Sequence, residues 1–148
     1  MLRIIIIISN ILFIESKSFS QDEYFLTLRY NKVNLRQGPS REYPVKILYE
    51  KKFLPVLIQD QSDNFRKIRD HENNTGWIHV SQLSKKKAAI VIDDEAYIFS
   101  SNTIYSKPLA ISKRGKLLLI KKCKKNWCKI TNKNFKGWIK KESLWGLY

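Results

Sequence analysis

The 148-residue chain is short of nearly everything a catalytic or metal centre is built from. Two cysteines and two histidines leave too few ligands for a metal cluster, and the two cysteines have no second ligand pair for zinc. G-x-S-x-G, P-loop and H-E-x-x-H patterns are absent. A Cys–His hydrolase needs a nucleophile beside a positioned imidazole, but His71 and His79 lie far along the chain from Cys123 and Cys128. Acidic residues are scarce too: 13 Asp and Glu stand against 28 Lys and Arg, a net charge of +15. Past the N-terminus, no ten-residue segment carries a helical apolar stripe. What is present is 43% hydrophobic residues, enough for a folded core, which excludes a disordered polybasic tail. The length allows one domain, or two very small ones. No enzyme, cofactor or metal is implied.

The N-terminus carries a targeting pattern. Met1-Leu2-Arg3 supplies a positive charge, Ile4 to Ile14 is apolar apart from Ser9 and Asn10, and Ser18 and Ser20 occupy −3 and −1 of a cut before Gln21. This is the layout of a secretory signal peptide, residues 1–20. An apolar run of about 11 residues is shorter than the roughly 20 that span a bilayer. A buried strand or an uncleaved anchor is the competing reading. Export with cleavage leaves Gln21–Tyr148, with no transmembrane span and a periplasmic destination.

Charge divides unevenly along that mature chain. Gln21–Glu95 has 13 basic and 11 acidic residues, whereas Ala96–Tyr148 has 13 basic and one acidic, a net +12. Such asymmetry suits an anionic partner for the second half. The chain is also rich in Lys, Ile and Asn, as AT-rich coding would make it, and Lys guards exposed strand edges.

The chain repeats itself. Asn64-Phe65-Arg66-Lys67-Ile68 returns 62 residues later as Asn126-Trp127-Cys128-Lys129-Ile130. Gly76-Trp77-Ile78 and Ser81-Gln82-Leu83 return as Gly137-Trp138-Ile139 and Glu142-Ser143-Leu144. Two units of about 60 residues follow. The division is a lead-in at 21–31, a first unit at 32–84, a linker at 85–95 and a second unit at 96–148.

Each unit reads as short strands. In the first they are Val33–Arg36, Val45–Tyr49, Phe53–Ile58, Phe65–Arg69 and Gly76–Val80, with turns at Gln37–Ser40, Asp60–Asn64 and Asp70–Thr75. Five short strands at turn-rich spacing predict a small antiparallel barrel, so the fold class is all-β with two barrels in tandem. Gly38-Pro39 pins a tight turn, where glycine reaches conformations closed to other residues. Gly76 and Gly137 fit a bulge or close backbone approach at a barrel corner. Trp77 and Trp138 are taken for core rings in preference to a ligand platform.

Val33-Asn34-Leu35-Arg36-Gln37-Gly38-Pro39-Ser40, Tyr43-Pro44-Val45 and Gly76-Trp77-Ile78 resemble the V-N-L-R-x-G-P-S … G-W-[VI] signature of bacterial SH3-like (SH3b) domains, over Lys32 to Leu83. The second unit opens Ala96-Tyr97-Ile98-Phe99-Ser100-Ser101-Asn102, without the Arg or the Gly-Pro turn, but keeps the closing pattern. It is similar to the degenerate second copy of exported tandem SH3-like proteins of Gram-negative bacteria. The resemblance implies a non-catalytic binding module of the cell envelope, recognising peptidoglycan or a peptide.

On that fold the loops Arg36 to Tyr43 and Asp60 to Phe65 flank a shallow face. Tyr43 and Phe65 are candidate aromatic contacts, and Arg36 and Arg41 candidate partners for carboxylates, although Arg36 and Tyr43 could equally brace the turn. Lys121, Lys122, Lys124 and Lys125 form a candidate electrostatic patch for anionic envelope surfaces or polymers. Nucleic acid is not expected outside the cytosol. Cys123 and Cys128 flank a predicted hairpin tip in a chain read as exported, which favours a disulfide over a thiol activated by its lysines. Asp93-Asp94-Glu95 is either a cation or acid–base site or a solvated linker, the latter preferred.

Overall fold

The computed structural model describes residues 22–133 and 135–148, so the predicted cleavage between Ser20 and Gln21 lies outside the described residues. The first lobe has strands β1 (Tyr24–Leu28), β2 (Val33–Arg36), β3 (Val45–Tyr49), β4 (Pro55–Ser62), β5 (Phe65–Arg69), β6 (Thr75–His79) and β7 (Leu83–Ser84). The second has β8 (Ala88–Val91), β9 (Glu95–Phe99), β10 (Pro108–Lys113), β11 (Leu117–Lys124), β12 (Trp127–Asn132), β13 (Phe135–Lys140) and β14 (Leu144–Trp145). The sheet orders β3-β2-β6-β5-β4-β1-β7 and β10-β9-β13-β12-β11-β8-β14 are the same path traced twice. All pairings given by the register are antiparallel. The molecule is all-β, two SH3-like barrels in tandem. Among the described residues no helix is long and apolar enough to cross a membrane.

Period-two alternation builds each core. β2 turns Val33 and Leu35 inward and Asn34 and Arg36 outward, and they join Val56, Ile58, Ile68 and Ile78. β12 buries Cys128 and Ile130 while Trp127 and Lys129 face out, and the second core adds Ile98, Leu118, Ile120 and Ile139. A bulge after Ile58 in β4 matches one after Ile120 in β11, bending both long hairpins at the same place.

Four sequence readings change. The lead-in holds β1, which pairs with both β4 and β7, and the linker holds β8, which pairs with both β11 and β14. All four β8 residues are buried: Ala89 and Val91 enter the second core while Ile90 enters the first. A strand covered on both faces shows no alternation, so its sequence gives no strand signal. The fourth strand begins at Pro55, because Phe53 adopts a left-handed φ of 66°, and runs to Ser62, leaving Asp63-Asn64 as the whole turn. Trp77 and Trp138 are half-buried on the outer sheet faces, since Gly76, Ile78, Gly137 and Ile139 take the inward positions beside them.

The glycines also act differently from expectation. Gly38 is absent from the glycines with positive φ, Gly115 and Gly146. Its role is to leave room, because a Cβ there would stand 2.5 Å from the Tyr43 ring. Gly76 does mark a close backbone approach: its Cβ would lie 2.7 Å from the Arg36 carbonyl oxygen.

The lobes share a packed seam. Phe25 meets Trp145 edge-on with ring centres 5.0 Å apart, and Tyr148 at 4.9 Å. Thr27 Oγ1 donates to the Lys86 carbonyl at 2.8 Å. Gly146, at φ +117°, passes where a Cβ would be 2.7 Å from Pro55.

Candidate functional site

In the first lobe the loop after β2 and the tip of the β4–β5 hairpin enclose a cleft of about 220 Å³. Arg36, Arg41 and Phe65 line it, together with Asn34, His79 and Ser81. Arg36 donates through Nη1 to the carbonyls of Tyr43 (2.9 Å) and Arg41 (3.1 Å), so it braces the loop it was expected either to brace or to arm. Arg41 is exposed at the rim. Tyr43 is 46% exposed, packs over Gly38 and lies outside the lining.

His79, weighed in the sequence only as a partner for a cysteine nucleophile, lies in this cleft. β5–β6 register sets Phe65 directly opposite it, and the rings meet edge-to-face at 5.1 Å and 87°. The Ser81 backbone N–H can only donate, and it reaches His79 Nδ1 at 3.1 Å. With Nδ1 accepting, the proton of the neutral ring is assigned to Nε2. Ser81 Oγ lies 2.8 Å from the same Nδ1. The contact caps the following 3-10 turn, and no carboxylate is a hydrogen-bond partner of this ring among the described residues, so the pair lacks the oriented base of a nucleophilic dyad. The signal for His79 was present in its cross-strand pairing with Phe65, which needs the register to be known.

A cleft of about 640 Å³ occupies the matching place in the second lobe, lined by Asn102, Thr103, Ile104, Trp127, Lys140 and Glu142, among others. The loop lost the Arg and Gly-Pro, yet it keeps its shape. Ser100 N–H donates to the Lys107 carbonyl as Gln37 N–H does to that of Pro44. Ser106 Oγ replaces the guanidinium brace, lying 2.7 Å from the Thr103 carbonyl and accepting from Ser101 N–H.

Lys121, Lys122, Lys124 and Lys125 are all exposed on β11 and its tip. Cys123 and Cys128 face each other across the β11–β12 hairpin, 4.0 Å apart at Cα, and are disulfide-bonded. The acidic run at 93–95 is solvent-exposed, as preferred, but it forms the turn from β8 into β9 and not a linker between the lobes: Asp94 accepts from Arg114 Nε at 2.9 Å, and Glu95 opens β9 paired with Lys113. Among the described residues no three His, Cys, Asp or Glu side chains converge on a metal position.

A buried Asp–Tyr pair serves the fold. Asp70, 2% exposed, accepts from the Tyr49 hydroxyl at 2.8 Å and from Glu72 N–H, Asn74 N–H and Asn74 Nδ2 at 2.9 Å each. Burial pushes its carboxyl up, but these hydrogen bonds together hold it below the usual range. Burial, then the hydrogen bond to Asp70, push the Tyr49 phenol up.

The bacterial SH3 domain family matches the chain twice, over residues 29–85 and 94–146. The chain belongs to that family. The matched segments hold β2–β7 of the first sheet and β9–β14 of the second and leave out β1 and β8, so the second lobe is a bacterial SH3 domain despite its altered opening loop. No curated protein matches the chain. Similar solved structures include NlpC2 from Trichomonas vaginalis (16% identity, TM-score 0.36, covering 84% of this chain and 48% of that one). NlpC1 from the same organism (16%, 0.37, 86% and 47%) and an NlpC/P60 family protein from Bacillus cereus ATCC 10987 (11%, 0.38, 82% and 55%) are similar too. The chain spans about half the length of these structures.

Proposed function

We propose that this tandem bacterial SH3 protein is a non-catalytic, exported binding module of the cell envelope, and that its first-lobe cleft recognises peptidoglycan or its peptide. The observation that carries the reading is the cleft built at one place in both lobes by the same loop and hairpin tip. The groups gathered there bind rather than react: a rim guanidinium, an imidazole N–H and an aromatic edge. Family membership and the Cys123–Cys128 bond support an oxidising, envelope-side location. Cleavage before Gln21 belongs to the same reading, and mass spectrometry of exported protein should find Gln21 first.

The second lobe acts as an electrostatic companion, supported by its net +12. Co-sedimentation with purified peptidoglycan sacculi tests the division. Wild type should pellet with the sacculi, and Arg41→Ala/His79→Ala should weaken binding about tenfold at any salt. Lys121/Lys122/Lys124/Lys125→Gln should weaken it only at low ionic strength. Wild type remaining in the supernatant, or the double variant pelleting unchanged, would overturn the reading.

A further inference from the structure

The lobes differ most at positions pointing out of the sheet. The cross-strand registers are superposable: Arg36 faces Trp77 as Phe99 faces Trp138, Lys67 faces Trp77 as Lys129 faces Trp138, and Phe65 faces His79 as Trp127 faces Lys140. At matching positions, Tyr97 and Phe99 stand where the first lobe has Asn34 and Arg36, and Trp127 where it has Phe65. The outer face of the second lobe gathers four aromatics, Tyr97, Phe99, Trp127 and Trp138. Phe99 meets Trp127 edge-to-face at 5.5 Å, and Tyr97, 53% exposed, lies 6.2 Å from Phe99.

Lysines are interleaved with these rings. Lys124 and Lys140 flank Trp127 in register, and Lys129 Nζ stands 5.8 Å from the centre of the Trp138 ring. Lys122 lies directly opposite Lys129, a like-charge pairing that works against the sheet unless an anion offsets it. Next to Lys129 is a depression of about 340 Å³ ringed by Lys86, Lys121, Lys129 and Lys136. The ion pairs of this lobe among the described residues are at Lys113, Arg114 and Lys140, so no carboxylate pairs with the lysines of the depression.

We propose that the outer face of the second lobe binds an anionic glycan. Sugar rings lie against Trp138 and the Tyr97–Phe99–Trp127 strip, and a carboxylate or phosphate substituent sits among Lys121, Lys129 and Lys136. Apolar ring faces match the C–H faces of a sugar, and the unpaired ammonium groups match its acid. A disulfide on the same hairpin favours a glycan over nucleic acid, because it belongs to compartments where nucleic acid is not the resident polymer. The surface lies apart from the first-lobe cleft but includes Lys121, so the inference rests on the electrostatic role proposed for the second lobe; octamer binding without sacculus binding, or the reverse, tells the two failures apart.

Calorimetric titration of the full chain with three probes tests the inference: a galacturonate octamer, its methyl-esterified neutral counterpart, and a single-stranded oligonucleotide of equal charge. The galacturonate octamer should bind and shift tryptophan fluorescence, and the neutral one should bind at least about tenfold more weakly. Lys129→Gln/Lys136→Gln should reproduce that loss. Tyr97→Ser, at a position 53% exposed, should weaken the octamer several-fold without changing the thermal midpoint. Equal binding of charged and neutral octamers, unchanged binding by the Lys variant, absence of binding by every probe, or tighter binding of the oligonucleotide would each overturn it.

Discussion

Asp70 shows how one carboxylate can hold a turn. Its four hydrogen bonds tie the β5–β6 connection to Tyr49 of β3, and its folded-state carboxyl titrates below its unfolded value. The stability it contributes is therefore complete above the unfolded pKa of about 4 and is lost as pH falls through the lower folded value. Asp70→Asn should flatten the acid limb of a pH–stability curve and lower stability at neutral pH by roughly 2 kcal/mol, read by urea unfolding. Two glycines make a second contrast. A methyl group at Gly76 meets the Arg36 carbonyl oxygen, whereas one at Gly38 meets the exposed Tyr43 ring, which can swing aside. Gly76→Ala should cost about 2–3 kcal/mol and Gly38→Ala clearly less. The sequence marked both glycines, but only the packing says what each leaves room for.

At the scale of elements, the two long hairpins close on residues other than glycine at left-handed φ, Asp63 at 50° and Lys125 at 53°. Lys125→Gly should remove that strain and raise stability by about 0.5–1 kcal/mol, provided the hairpin register holds. The disulfide just inside the second tip constrains a short loop, and Cys123→Ser/Cys128→Ala should cost roughly 2 kcal/mol by thermal unfolding. Strands with one wet face were legible from alternation, as β2, β5 and β6 were. β1 and β8 were not, since their signal depends on what covers them. The same limit concealed the orientation of Trp77 and Trp138, whose size argued for the core while the small Gly76 and Gly137 beside them took the inward positions.

At the scale of the whole molecule, β8 and the chain end join the two lobes. Ile90 and Leu117 pack against the first core, and Trp145 and Gly146 press on Phe25 and Pro55. Thermal unfolding should be one cooperative transition. Gly146→Val strains a φ of +117° and strikes Pro55, so it should split the calorimetric trace into two steps. The sequence by itself determined the strands with one wet face, the repeat, the family, the disulfide pair and the charge asymmetry, because each is read from residue order without knowing what packs on what. Only the tertiary structure decided that lead-in and linker are core strands, that His79 faces Phe65, and that the second lobe's aromatics share one face with its lysines. Those facts depend on register and on which surface meets which, and neither is a local property of the chain.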